Sequence, residues 1–130
     1  MKQARFDATL PARDMKRARD FYAQKLGLEP AEETSDGLLY SGGQGSRFLL
    51  FESSGSPSGS HTQMSFEVDD LEGEVADLKQ RGVKFEEYDQ PGFKTVNSIA
   101  QIGETKGAWF KDSEGNLLSI GTYARVGAAR

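Results

Sequence analysis

The sequence contains no cysteine and a single histidine among its 130 residues. Without cysteine, disulfides, thiol catalysis and cysteine-ligated metal sites are excluded. Basic residues number 16 and acidic residues 20, and the net charge of -4 argues against nucleic acid as a partner. No apolar run reaches the roughly 18 residues of a membrane span, and the N-terminal segment has no signal-peptide core. We therefore expect a cytoplasmic protein with neither a membrane nor a nucleic-acid partner.

The composition is that of an ordinary globular protein, with 36% hydrophobic and 28% charged residues. A chain of this length can bury a core, and we interpret residues 1–130 as one domain. Its function must be sought in the order of its elements and in the polar side chains placed among apolar ones.

The first half of the chain, residues 4–53, predicts a strand, a helix and three further strands. Residues 4–11 alternate between apolar and polar side chains, which indicates a strand. Apolar residues at helical spacing predict a helix over 14–26, with Asp14 as its N-cap and Gly27 at its end. Turn residues separate the other strand candidates, at 28–33, 37–41 and 47–52.

The second half repeats this order after a serine-rich segment, residues 54–60, which has the composition of a flexible linker. Alternation over 61–68 predicts a strand, and the segment from Asp69 to Gly82 predicts a second helix. Further strands are predicted at 83–88 and in a hairpin over 107–120, with a long loop at 89–105 between them.

The repeated order indicates an internal duplication. It gives two βαβββ units, at about residues 4–53 and 61–122, and places the chain in the α+β class. Neither unit can bury its sheet face alone, so the two must pair with each other or with those of a second chain.

Three segments resemble the vicinal oxygen chelate superfamily, which comprises glyoxalase I, bleomycin resistance proteins and extradiol dioxygenases. They are Arg17–Gly27, Ser65–Leu71 and Gly107–Ile120, in the same order as in that superfamily. The segment Phe85–Gly92, followed by Lys94–Val96, resembles a bacterial subgroup of it. The resemblance implies a cupped mixed sheet built by both units, helices outside it, a small-molecule cavity inside, and a homodimer.

Metal-dependent members of that superfamily hold a divalent ion with histidine and glutamate. The resemblance carries three of those ligand positions to Asp7, Gln63 and Ser119, and the fourth to residues 47–51, which include no carboxylate. Only Asp7 is an ordinary ligand type. We therefore expect no metal and no cofactor, and interpret these side chains as the polar lining of a wet cavity.

The same alignment predicts a ligand cavity with polar anchors and aromatic walls. Phe93, on the predicted loop, is expected to close over it, whereas His61 is interpreted as a surface residue. The full set of predicted ligand-binding residues is Asp7, Thr9, Tyr40, Phe51, Gln63, Ser65, Phe93, Trp109 and Ser119.

The function predicted from these features is metal-independent binding of a small molecule, of the glyoxalase/bleomycin resistance type. An aromatic or amphipathic compound suits aromatic walls with a few polar groups. The alternative is a lyase, isomerase or dioxygenase-like enzyme with a non-standard or absent metal site. In that case Asp7 is the candidate base, and it should be buried with a raised pKa.

Overall fold

A computed structural model of the chain describes residues 1–122, which form two helices and ten strands. The first unit contains β1 (Ala8–Ala12), α1 (Met15–Leu26), β2 (Glu32–Thr34), β3 (Gly37–Ser41) and β4 (Arg47–Glu52), with a short 3₁₀ turn at Gly43–Gly45. The second unit contains β5 (Met64–Glu67), α2 (Leu71–Gln80), β6 (Asp89–Gln90), β7 (Phe93–Val96), β8 (Ile99–Ile102), β9 (Thr105–Lys111) and β10 (Leu117–Thr122).

The two units build similar sheets. The first sheet has the strand order β1-β4-β3-β2 and the second the order β5-β10-β9-β8-β7-β6. In each unit the first strand pairs in parallel with the last, β1 with β4 and β5 with β10, while the other strand pairs are antiparallel. The predicted α+β fold of two paired βαβββ units is confirmed.

Both helices begin where their capping residues predict. The carboxylate of Asp14 accepts a hydrogen bond from the backbone N–H of Arg17, and Gly27 ends α1 in the left-handed conformation with φ 70°. Asp70 caps α2 in the same way through the N–H of Gly73. No helix among the described residues is long and apolar enough to cross a membrane.

One hydrophobic core joins the helices to one face of each sheet. Alternate strand residues point into it because side chains along a strand face opposite sides. From the first sheet these are Leu10, Ala12, Leu38, Tyr40, Phe48 and Leu50, and from the second Ala108, Phe110, Leu118 and Ile120. The other face of each sheet, turned away from this core, is called the open face below. It carries Thr9, Leu49 and Phe51 in the first sheet, and Ser65, Trp109 and Ser119 in the second.

Polar contacts as well as the core hold the two units together. The Tyr22 hydroxyl donates to Asp112 Oδ2 at 2.7 Å, and Asn116 Nδ2 donates to the carbonyl of Pro11 at 2.9 Å. The open faces, by contrast, are accessible to solvent: Thr9 and Ser65 are exposed.

The prediction of a long loop at 89–105 is wrong. This segment folds into the short strands β6, β7 and β8, and the β7–β8 turn is made by Asn97 and Ser98, with φ of 52° and 75°. Two consecutive left-handed residues match the turn that closes tight hairpins. Two strand predictions were also too long. Residues 28–33 contribute only to β2, and residues 83–88 form no named strand but a single bridge between Phe85 and Phe110.

Candidate functional site

The open face of the second sheet brings together the polar residues predicted there. Ser65 and Ser119 are register partners on β5 and β10, and their hydroxyl oxygens lie 2.5 Å apart. Gln63 lies two residues before Ser65, and its side chain therefore faces the same side of the sheet. Its backbone N–H donates to the carbonyl of Leu117. Its side-chain oxygen Oε1 is buried without a hydrogen-bond partner among the described residues. A buried acceptor of this kind is stabilised when a donor reaches it.

Three aromatic rings lie beside these polar groups, and we call Tyr88, Phe93 and Trp109 the aromatic cluster. Trp109 is the register partner of Ser119. Its ring meets those of Tyr88 and Phe93 edge to face, at centroid distances of 5.8 and 5.3 Å, while Tyr88 and Phe93 lie 5.1 Å apart. Edge-to-face contacts fix the rings relative to one another. The indole N–H of Trp109 donates to the Thr62 hydroxyl at 3.1 Å.

The aromatic cluster forms one wall of a cleft of about 240 Å³, called the aromatic cleft below. The other lining residues are Ser60, His61, Thr62, Gln90 and Leu117. The cleft is therefore lined by aromatic and apolar carbon together with hydroxyl, amide and imidazole groups. Ligand pockets usually hold about 300–1,000 Å³, so this cleft suits a small ring system or one end of a larger ligand.

The open face of the first sheet carries an ion pair at the start of β1. Arg47 donates to both carboxylate oxygens of Asp7, from Nε at 2.9 Å and from Nη2 at 2.6 Å. These charge-assisted bonds from Arg47 hold the pKa of Asp7 below its usual value. A general base at this position should be buried with a raised pKa. Asp7 is exposed and shifted in the opposite direction, so the structure does not favour it as the base.

Comparison with protein families agrees with this architecture. The family model described as Glyoxalase/Bleomycin resistance protein/Dioxygenase superfamily matches residues 5–120. The chain belongs to this superfamily. The earlier resemblance is thereby confirmed. A comparison with curated proteins finds no match.

Solved structures of similar fold cover nearly all of the chain. The structure of UcmS2 superposes with a TM-score of 0.72 at 21% identity, covering 93% of this chain and 99% of its own. A glyoxalase/bleomycin resistance protein/dioxygenase from Alicyclobacillus acidocaldarius gives 0.69 at 21% identity, with 95% and 93% covered. TnmS3, an antibiotic binding protein from Streptomyces sp. CB03234, gives 0.61 at 19% identity, with 94% and 98% covered. Identities this low establish a shared fold only.

The side chains at the superfamily's ligand positions do not fit a divalent metal ion. Asp7 is engaged on both oxygens by Arg47, whose positive charge would repel a cation, and Arg47 itself lies in the segment expected to supply the fourth ligand. Gln63 offers an amide, and Ser119 is paired with Ser65. Among residues 1–122, no group of three or more histidine, cysteine, aspartate or glutamate side chains could hold a metal ion. Imidazole and carboxylate ligands converging on one point are therefore missing from the described chain.

The predicted site residues fall into two groups on different sheets. Gln63, Ser65, Phe93, Trp109 and Ser119 belong to the second sheet, and Phe93 joins the aromatic cluster from the start of β7. Asp7, Thr9 and Phe51 belong to the open face of the first sheet.

Tyr40 is the one predicted wall residue that lies elsewhere, and that prediction is wrong. Its side chain is 1% exposed and stacks on Phe48 with ring centroids 4.6 Å apart, on the helix side of the sheet. The register of β3 and β4 explains this, because Leu39 and Leu49 are opposite each other on the open face while Tyr40 pairs with Phe48 on the other.

Several residues of the aromatic cleft, Tyr88 among them, were not predicted to bind a ligand, whereas Phe93 was. Tyr88 and Phe93 flank the Pro91–Gly92 turn, and an aromatic residue on each side of a turn is a signal for cross-strand packing. His61 is exposed, as predicted, and its Nδ1 lies 3.0 Å from the Ser58 hydroxyl. It is one of the residues that line the cleft.

Proposed function

We propose that this protein binds a small aromatic or amphipathic compound without a metal ion, as a member of the glyoxalase/bleomycin resistance superfamily. The observation that carries the proposal is the aromatic cleft. Rings held edge to face by their neighbours present a preformed apolar wall, and polar groups complete the lining.

The energetics of such a wall favour a flat partner. Burying aromatic surface contributes about 25 cal/mol per Å², and well-oriented ring pairs add roughly 0.5–1.5 kcal/mol. Because Trp109 is already held by Tyr88, Phe93 and Thr62, little side-chain entropy is lost when a ligand stacks on it. The name of TnmS3 as an antibiotic binding protein supports a binding role for this fold.

Metal independence is supported by the donor set at the superfamily's ligand positions. An arginine–carboxylate pair, an amide and a hydroxyl pair replace the histidine and glutamate ligands. An enzyme that relies on Asp7 as base is less well supported, because Arg47 stabilises the carboxylate form and so weakens it as a base.

We also propose a homodimer. Leu39, Leu49 and Phe51 are half-exposed apolar side chains on the open face of the first sheet. A second copy that covers this face would bury them.

The test uses Trp109, the only tryptophan of the chain, as its reporter. Titration with a panel of aromatic natural products should quench or shift its emission for at least one compound, and calorimetry should give the same affinity. Trp109→Ala should weaken that binding by at least about tenfold, through the loss of stacking and buried area. Phe6→Ala is the matched control, because Phe6 is 81% exposed and lies outside the cleft.

The same preparation tests metal independence. Elemental analysis should find no stoichiometric transition metal, and dialysis against a chelator should leave the affinity unchanged. A panel that gives neither emission change nor heat would overturn the binding function, whereas affinity lost on chelation and restored by one divalent ion would overturn only its metal independence.

A further inference from the structure

We infer that the part of the ligand held in the aromatic cleft is an uncharged, planar ring system with an oxygen acceptor at its edge. This rests on the proposed binding function and specifies the chemical class that the cleft takes. The inference depends on two features of the cleft, its charge and the hydrogen-bonding state of Thr62.

The lining of the aromatic cleft contains no acidic side chain, no lysine and no arginine. Its eight residues are Ser60, His61, Thr62, Tyr88, Gln90, Phe93, Trp109 and Leu117, and none of them is an aspartate, glutamate, lysine or arginine. A charged group that loses water here would meet no carboxylate, ammonium or guanidinium group in the lining, and burying an unpaired charge is costly.

The charged residues around the cleft do not create a field of one sign. Glu87, next to Tyr88 in the chain, is engaged by the hydroxyls of Thr95 and Ser98 at 2.7 and 2.6 Å. Asp89 and Lys94 are register partners with opposite charges. Lys111 lies near the linker, with its ammonium group beside Gly59. A single exposed lysine is screened by solvent and contributes little.

Within residues 1–122 the hydroxyl of Thr62 donates to no other group. Its oxygen accepts the indole N–H of Trp109 at 3.1 Å. A hydroxyl has one donor in addition to its acceptor sites, so the O–H of Thr62 remains available at the edge of the Trp109 ring. A ring system stacked on Trp109 would satisfy this donor with a carbonyl or phenolic oxygen at its rim. Gln90, the register partner of Phe93, adds to the lining an amide that both donates and accepts.

Naphthalene derivatives of one shape test the inference by calorimetry. The probes are 2,6-dihydroxynaphthalene, unsubstituted naphthalene, naphthalene-2,6-disulfonate and the protonated 2,6-bis(aminomethyl)naphthalene. The dihydroxy compound should bind at least about tenfold more tightly than either charged probe, because the cleft offers no counter-charge. Thr62→Val also removes the acceptor of the Trp109 indole N–H, so the measured quantity is the difference between probes: dihydroxynaphthalene should lose about five- to tenfold more affinity than naphthalene through the loss of its hydrogen bond.

Charge placed at the rim should narrow the preference for the uncharged probe in a predictable direction. Gln90 is exposed, so Gln90→Glu and Gln90→Lys should fold normally. Gln90→Glu should tighten the diammonium probe about threefold and Gln90→Lys the disulfonate, as expected for a solvent-exposed ion pair. Gln101→Glu and Gln101→Lys are the matched controls, because Gln101 is exposed and lies outside the cleft.

The possible outcomes separate this inference from the binding function. If either charged probe binds the unaltered protein as tightly as dihydroxynaphthalene, the inference is overturned while the binding function stands. If Thr62→Val lowers the affinities for naphthalene and dihydroxynaphthalene by the same factor, Thr62 does not recognise an oxygen at the edge of the ring, and that part of the inference is overturned. If no probe and no natural product binds, both fail together.

Discussion

Trp109 owes its orientation to a glycine two residues earlier on the same strand. Gly107 and Trp109 both face the open side of β9, and Gly107 is buried beneath the indole. A Cβ atom at position 107 would lie 3.2 Å from Trp109 Cη2 and 3.6 Å from Cζ2. Because Gly107 has no side chain, the indole can lie against the backbone of its own strand, in the position in which it forms part of the wall of the aromatic cleft.

We expect Gly107→Ala to lift the indole from the sheet. The added methyl is closer to the ring than ordinary side-chain contacts, so the ring must shift by a few tenths of an ångström. The emission of Trp109 should change, and the affinity for a stacked ligand should fall roughly three- to tenfold because the orientation is lost. Gly43→Ala is the control, since a Cβ there meets nothing within 4 Å. Unchanged emission and affinity in Gly107→Ala would contradict the role of this glycine.

The pairing of Asp7 with Arg47 decides what the Asp7 carboxylate can do in this fold. Asp7 has the chemistry of a metal ligand or a base, yet the nearest partner of its carboxylate is a guanidinium. That partner, Arg47, lies 40 positions further along the chain. Their pairing follows from the parallel register of β1 and β4, which places the start of one strand beside the start of the other.

At the scale of elements, the contact between α1 and the β9–β10 turn is built on a buried carboxylate. Asp112 accepts hydrogen bonds from the Tyr22 hydroxyl, from Asn116 Nδ2 and from the backbone N–H groups of Glu114 and Asn116. Burial, and then the negative charge of Asp112, raise the pKa of Tyr22 far above its ordinary value. Tyr22 therefore remains a donor at every pH at which the protein is studied.

Two buried tyrosines provide a matched test of this contact. Tyr22→Phe should lower the free energy of unfolding by about 1–3 kcal/mol, because the buried Asp112 loses a donor. Tyr40→Phe should cost little or stabilise the protein, because its hydroxyl is buried with no hydrogen-bond partner among the described residues. Urea denaturation measures both. Equal losses would show that the hydroxyl of Tyr22 contributes nothing specific.

Glu114 joins the same turn to the start of α1. Its carboxylate accepts from Arg17 Nε at 2.7 Å and from the backbone N–H groups of Arg13 and Asp14 at 3.0 Å. The hydrogen bond from Arg17 is the main cause that lowers the pKa of Glu114 to about 2. Anions are also favoured at a helix N-terminus, where backbone N–H groups are unpaired.

This shift predicts how stability responds to acid. The pKa of Glu114 is lower in the folded protein than the ordinary 4.5, so its stabilisation is present above about pH 4.5 and is lost as the pH falls towards 2. Glu114→Gln should be less stable at pH 7 and should lose less further stability between pH 4.5 and 2. Glu104→Gln, an exposed control, should follow the unaltered protein. Parallel acid profiles for Glu114→Gln and the unaltered protein would contradict this role.

At the scale of the whole molecule, the open faces present apolar surface that one chain does not cover. Leu49 stands between Thr9 and Leu39 in the register of the first sheet and is half-exposed. Sheets with one apolar face are stable when that face packs against another layer. We propose that a second copy of the chain packs against this face.

The cytoplasmic location and the absence of a nucleic-acid partner stay predictions from composition.

The dimer has a direct test in analytical ultracentrifugation. The unaltered protein should sediment as a dimer at micromolar concentration, and Leu49→Glu should shift it to the monomer because a charge would be buried in the interface. Val96→Glu is the control, since Val96 is 65% exposed and lies on the opposite side of its sheet from Trp109. A monomer at every concentration would remove the dimer from the proposal.

The sequence by itself determined the elements that depend on neighbours along the chain. Caps at Asp14 and Asp70 and the glycine at position 27 predict the helices, and the β9–β10 hairpin follows from its turn residues. The duplicated order of elements predicts the paired units, because that order is itself a property of the chain.

Only the tertiary structure decided what depends on strand register. Side chains alternate between two faces, so the face that Tyr40 occupies is fixed by its pairing with Phe48 rather than by its own neighbours. The same holds for Asp7, which the register brings to Arg47, and for the aromatic cleft, whose lining comes from residues 60–62, 88, 90, 93, 109 and 117. Contacts between distant segments form a site that no local pattern describes.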